Sequence, residues 1–212
     1  MTDLRRRRLL LGLPGLLLPG AALAGSLLEP TPRQSAGPFY PTELPLDDDN
    51  DLTRITGSSG VASGQISDLS GRLVDVNGRP LGGLRIEIWQ CDANGRYRHP
   101  LDSGGQEPDP HFQGHGHTLT DADGRYRFRT IRPVPYPGRT PHIHFAVFPG
   151  DAQPFTSQLY VAGDPGNDSD FLYRRVPAER RHLVTAEFVP GGSGDAALAA
   201  NFDIVLGMLP PA

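Results

Sequence analysis

Two histidines two residues apart, His142 and His144, stand in the stretch PYPGRTPHIHF at residues 135–145. In an extended strand such residues share a face, so both imidazoles project together while Ile143 and Phe145 point the other way. Two imidazoles on one strand can reach a single ion. Taken alone the pair is weak, because the chain has seven histidines and one such spacing arises by chance. Two tyrosines add weight. Tyr136 sits in Pro135-Tyr136-Pro137-Gly138, a rigid segment followed by a turn, which can fold the phenol back over the strand starting at His142. Tyr97 follows the Asn94-Gly95 turn after LRIEIWQ and reaches the same height if that strand neighbours the histidine strand. A phenolate is a hard anionic oxygen donor and favours hard, highly charged cations. Two phenolates with two imidazoles suit Fe(III) better than Zn(II) or Cu(I).

The elements that must hold these side chains read as short strands. Leu84–Gln90 alternates apolar and polar residues, with Leu84, Ile86 and Ile88 on one face. Further strand-like runs are Gly71–Val76, Tyr126–Thr130, His142–Phe148, Ser157–Val161, His182–Val189 and Asn201–Leu206, separated by turn signals. Asn77-Gly78 is one such signal, and Asp92–Gly95 and Asp121–Gly124 are two similar turns, each followed by Arg-Tyr-Arg. With 26 glycines and 22 prolines in 212 residues, the chain predicts an all-β fold: a β-sandwich core of about eight short strands with long loops. Helix is limited to one turn near Pro177–Arg181. Residues 25–64 are an extended N-terminal arm, including an acidic turn at 47–51, and 65–212 form the core. Tyr126 reads as a half-buried turn residue with a hydrogen-bonded hydroxyl. His111, His115 and His117, in HFQGHGH, read as a solvated loop; the sharper reading has one of them touching an acidic substrate or a second metal.

Residues 1–24 read as a signal peptide: Arg5–Arg8 precede an apolar run, Leu9–Ala24, that ends in Ala22-Leu23-Ala24. The run is broken by prolines and short for a bilayer span, so no stable membrane anchor is expected after cleavage. Its arginines before leucines resemble a twin-arginine signal, which implies export to the periplasm or beyond, with a Sec signal as the alternative. A net charge of −4, with no basic stripe outside the leader, argues against nucleic acid as a partner. The single cysteine, Cys91, excludes an intrachain disulfide and reads as a small buried hydrophobe.

GRLVDVNGRPLGGLRIEIWQCDANGRYRHP, LTDADGRYRFRTIRP and PYPGRTPHIHF together resemble the core of the intradiol ring-cleavage dioxygenases, of the protocatechuate 3,4-dioxygenase and catechol dioxygenase kind. The similarity runs from about residue 37 to 162, and more loosely to the C-terminus. It implies a non-haem Fe(III) held by Tyr97, Tyr136, His142 and His144. It implies catalytic roles for Tyr136, Arg139 and Gln158, and a substrate pocket touched by Arg139 and by Phe39 and Tyr40 of Gly37-Pro38-Phe39-Tyr40. The implied partners are a small catechol-type aromatic and O2, and the implied product is a cis,cis-muconate-type dicarboxylic acid. The family often assembles, so a homo-oligomer stays open. The residues themselves leave two other readings: a non-catalytic secreted β-sandwich binding module of transthyretin-like type, and a periplasmic copper-binding protein using the His142/His144 pair.

Overall fold

The computed structural model describes residues 27–44, 47, 49–150 and 152–207. The expected leader at 1–24 therefore lies outside the described residues, as does Asp48 of the acidic turn. Ten strands make two five-stranded mixed sheets: β1 (Ile66–Asp75), β2 (Arg85–Trp89), β3 (His115–Leu119), β4 (Arg125–Ile131), β5 (His142–Phe148), β6 (Phe155–Val161), β7 (Thr185–Ala186), β8 (Val189–Pro190), β9 (Leu198–Asn201) and β10 (Ile204–Leu206). In the first sheet β1 pairs antiparallel with β4 and parallel with β9 and β10, and β8 extends it from β9. The second sheet runs β3-β2-β5-β6-β7. The all-β sandwich expected from the alternation is what forms.

Alternation decides which face of the second sheet enters the core. Ile86 and Ile88 of β2, Ile143, Phe145 and Val147 of β5 and Leu159 of β6 pack against Leu69, Leu73, Phe128, Phe202 and Ile204. The residues between them turn to the opposite face. Cross-strand register then lines them up: Trp89 lies opposite both His115 and His144, and His144 lies opposite Gln158, so His115, Trp89, His144 and Gln158 form one row across four strands. His142 and Tyr160 pair in the neighbouring row. This outer face is covered by Ala36, Phe39 and Tyr40 of the arm and by Tyr97, Val134 and Tyr136 from loops, which is why it can be buried and polar together.

Three differences from the expected elements have local causes. HFQGHGH is not a solvated loop over its second half: His115–Leu119 is strand β3, paired along β2, and His115 is 1% exposed. A run with two glycines and two histidines carries no alternation signal, yet Gly116 is required because a Cβ there would lie 2.2 Å from the Asp49 carbonyl oxygen. The helical turn expected near Pro177–Arg181 is a 3₁₀ helix, Ala178–Val184, that runs into the expected strand at His182–Val189 and leaves strand only at Thr185–Ala186 and at Val189, the start of β8. Asn201–Leu206 is two strands, broken where Asp203 accepts a hydrogen bond from the Arg72 amide and the Phe202 carbonyl takes the Tyr126 hydroxyl. The turns at Asp75, Asp92 and Asp121 share one hydrogen-bond pattern, each carboxylate accepting from the amides two and four residues on. Among the described residues no helix is long and apolar enough to cross a membrane.

Candidate active site

His142 and His144 meet on the outer face of β5, their rings 4.7 Å apart between centroids and their Nε2 atoms 3.1 Å apart. The Nδ1 of His142 lies 2.6 Å from the Thr140 carbonyl oxygen. A carbonyl can only accept, so this nitrogen carries the proton and Nε2 presents a lone pair. Trp89 stacks flat on His144 at 5.1 Å and 7°. On the open side, Gly37 has φ +73, and a Cβ on it would approach His144 Cε1 to 3.1 Å. Glycine is what lets the arm close over the imidazole.

The two tyrosines come to the same place. Tyr136 packs against His142 at 5.4 Å and Tyr97 against Tyr136 at 5.4 Å, while Tyr97 lies 6.3 Å from His144. Gly95, at φ +74, makes the Tyr97 turn fit against this segment, since a Cβ there would meet the Pro135 carbonyl oxygen at 2.9 Å. Phe39 stacks on Tyr97 at 4.5 Å and meets Tyr136 edge-on at 5.9 Å. Tyr40 lies one ring further out, edge-on to Trp89, with its hydroxyl donating to Glu87. Arg139 donates to the Tyr136 hydroxyl at 3.3 Å and to Gln158 Oε1 at 2.5 Å. A cavity of about 840 Å³ is lined by Phe39, Trp89, Tyr97, Arg98 and His115; Tyr40, Tyr136, Arg139, His142, His144 and Gln158 do not line it.

Two further histidines, His111 and His115, and the cysteine have partners or surroundings of their own. His115 faces the Glu87 carboxylate at 3.3 Å, and Glu87 also takes Arg85 and Tyr40. Burial alone would raise the Glu87 carboxyl, but hydrogen bonds from His115, Arg85 and Tyr40 hold it down at about 2. His111 bonds to the Ser58 hydroxyl. Burial pushes the Cys91 thiol up to about 12, which leaves it unreactive. Trp89, Glu87, Thr140 and Asp170 complete the surroundings without having been singled out in the sequence. Trp89 had a signal, since the alternation that sends Ile86 and Ile88 inward sends Trp89 outward beside His144.

The electrostatics prepare this cluster for a cation. Burial, with Arg139 adding, drives His142 down to about 3, and burial with the neighbouring His142 puts His144 well below the usual range. Both rings are therefore neutral at neutral pH. Burial pushes the Tyr97 phenol well above its ordinary value and raises Tyr136 as well, with Arg139 pulling the latter back. Among the described residues the buried Tyr97 hydroxyl oxygen has no partner at hydrogen-bond geometry. A buried orphan oxygen beside two converging neutral imidazole nitrogens is a donor set awaiting a charge. Among the described residues no three His, Cys, Asp or Glu come together to hold a metal.

One consequence is open to measurement without metal. The folded pKa of each histidine lies below the unfolded value of about 6.5, so its contribution is complete above that pH and is lost as the pH falls below it, for His142 down to about 3. Metal-free protein is expected to lose up to about 1.4 kcal/mol of unfolding free energy per pH unit per histidine in this window. Denaturant titrations between about pH 7 and pH 5 check it. A flat profile would mean that neither ring is held neutral.

Fold and site together define a class: a β-sandwich with two phenols, two imidazoles and a buried arginine on the outer face of one sheet. Comparison with known proteins narrows it. A family model described as a dioxygenase matches residues 35–208. The chain is 36% identical over 184 residues to the protocatechuate 3,4-dioxygenase beta chain of Burkholderia cepacia, covering 82% of this chain and 78% of that one. It is 33% identical over 147 residues to a hydroxyquinol 1,2-dioxygenase of Corynebacterium glutamicum, 61% of this chain but only 45% of that protein, so it spans about half the length of the latter. The solved dioxygenase domain of a dioxygenase carbohydrate-binding protein fusion from Streptomyces sp. SirexAA-E superposes with TM-score 0.63 at 30% identity, over 85% of this chain and 100% of that one. The chain belongs to the intradiol ring-cleavage dioxygenase family.

Proposed function

We propose that the protein binds one Fe(III) through Tyr97, Tyr136, His142 and His144 and cleaves the ring of a catechol-type aromatic with O2 to a cis,cis-muconate-type dicarboxylic acid. The observation that carries this reading is the buried, unpartnered Tyr97 hydroxyl beside two imidazoles whose Nε2 atoms lie 3.1 Å apart. When bound, the iron would acidify the catechol hydroxyls and draw electron density from the ring so that it reacts with O2. Tyr136, half-buried, would be held as a phenolate by the iron and in that form would accept a catechol proton at its Oη. Arg139, charged throughout, faces the charge that develops on the ring. Gln158 fixes one end of that guanidinium, Phe39 walls the pocket, and Tyr40 supports the wall from behind through Glu87. The leader motif makes export, by the twin-arginine route, part of the same proposal.

The test is direct. Protein produced with ample iron should be reddish from tyrosinate absorption, bleach on reduction, and consume O2 with a panel of catechol, protocatechuate and hydroxyquinol. Colourless, iron-free protein would remove the proposal, and copper bound in place of iron would favour the copper-binding alternative.

A further inference from the structure

Arg139 is held on three sides, and its firmest partner is a residue outside the donor cluster. Its Nε donates to Asp170 Oδ2 at 2.7 Å, and the two side chains are 8% and 0% exposed. Its other two nitrogens reach Gln158 at 2.5 Å and Tyr136 at 3.3 Å. Gln158 cannot turn away, because its Oε1 also accepts from the Tyr160 hydroxyl and its Nε2 donates to the Ser35 carbonyl. The faces of the guanidinium are covered by the rings of Tyr136 and Phe171, at 5.9 and 5.5 Å.

Asp170 is as fully engaged as the arginine. Besides Arg139, its Oδ2 accepts from the Thr140 amide at 3.1 Å, and its Oδ1 accepts from the amides of Leu172 and Tyr173 at 2.9 Å each. Thr140 is the residue whose carbonyl receives the His142 Nδ1 proton. One carboxylate therefore ties together the loop after β6, the guanidinium and the backbone that fixes the His142 tautomer. A buried carboxylate with four donors is stiff, and it holds in one place an arginine that would otherwise sample many rotamers. Stabilising charge that develops during a reaction depends on such groups already being in place.

We infer that Asp170 is a positioning residue for ring cleavage, acting through Arg139. This rests on the role proposed for Arg139 above. The competing account makes Asp170 only a cap for the loop at 164–176, through Leu172 and Tyr173. Asp170→Asn separates the two. It keeps the volume and an oxygen for the loop amides, but it turns the other atom into an NH2 facing the Arg139 and Thr140 donors.

The expected result is a fall in kcat of about 10- to 100-fold, the scale of a small misplacement of a reacting group. Anaerobic catechol binding and iron content should stay within about threefold of wild type. In an Arg139→Gln background the same substitution should cost nothing further, because the group it positions is gone. In metal-free protein, the Arg139 Nε proton should be slow to exchange in wild type and fast in Asp170→Asn, while the Leu172 and Tyr173 amides stay protected. Losses that multiply in the double variant, or an Arg139 proton that stays protected, would overturn the inference and leave the cap. If Asp170→Asn does not fold, Asp170→Glu, which keeps the charge but displaces it, carries the test: wild-type kcat in that variant overturns the inference. If Arg139→Gln itself turns over normally, the role of Arg139 fails first, and the two failures stay distinct.

Discussion

A Tyr97→Phe protein should fold, lose much of its tyrosinate absorption and hold iron more weakly than wild type by over about 100-fold. That bound is the upper end of what losing a group behind a metal ligand costs, and Tyr97 is proposed as a ligand itself. The substitution is clean because the ring keeps its packing: Phe39 stacks on it at 4.5 Å and Tyr136 meets it edge-on at 5.4 Å. Only the hydroxyl goes, and that oxygen is buried without a hydrogen-bond partner. In metal-free protein its removal relieves a desolvation cost of about 1–3 kcal/mol, so metal-free Tyr97→Phe should be at least as stable as wild type. The two measurements therefore move in opposite directions: iron affinity, by competition with a chelator, falls while the metal-free melting temperature holds or rises. A tyrosine that merely packed would leave iron affinity unchanged, whatever the melting temperature did. Normal colour and iron content in Tyr97→Phe would remove it from the donor set.

Much of this site could be read from the chain, and the reason is geometric. His142 and His144 share a face because a strand alternates, and Ile143 and Phe145 are buried in the core as that alternation requires. Tyr97 follows the Asn94-Gly95 turn and Tyr136 opens the Pro137-Gly138 turn, so local sequence reports their direction. What local sequence does not report is who stands across the sheet. His115 lies in a stretch with no strand signal, and it became buried because pairing along β2 sets it opposite Trp89 and beside Glu87. Asp170 looks like one more acidic residue in a polar loop. Its partner Arg139 is 31 positions away, and only the return of the loop after β6 brings them together. The helical turn expected near Pro177–Arg181 continues as a 3₁₀ helix to Val184, past the expected strand start at His182, for a related reason: Val184 is buried with Tyr160 and Val176.

Replacing Arg139 tests the chemistry itself. Arg139→Gln should lower kcat by about 10²–10³, the cost of losing one preorganised stabilising group, or about 2.7–4 kcal/mol. Iron content should not change, because a guanidinium gives a metal no lone pair. The size follows from the setting. Burial opposes the arginine's charge, but the hydrogen bond to Asp170 and the neighbouring Tyr136 keep its pKa above the ordinary value, so it stays fully charged in a place where charge is poorly screened. Arg139→Lys divides charge from shape. An ammonium on a flexible stem can still meet Asp170, yet it cannot span Asp170, Gln158 and Tyr136 as the planar fork does. If the fork matters, Arg139→Lys should recover less than about a tenth of the activity lost in Arg139→Gln while anaerobic catechol binding stays near wild type. If charge alone suffices, lysine should restore most of it. A rise in KM with kcat unchanged, in either variant, would instead make Arg139 a binding group that holds substrate and transition state equally.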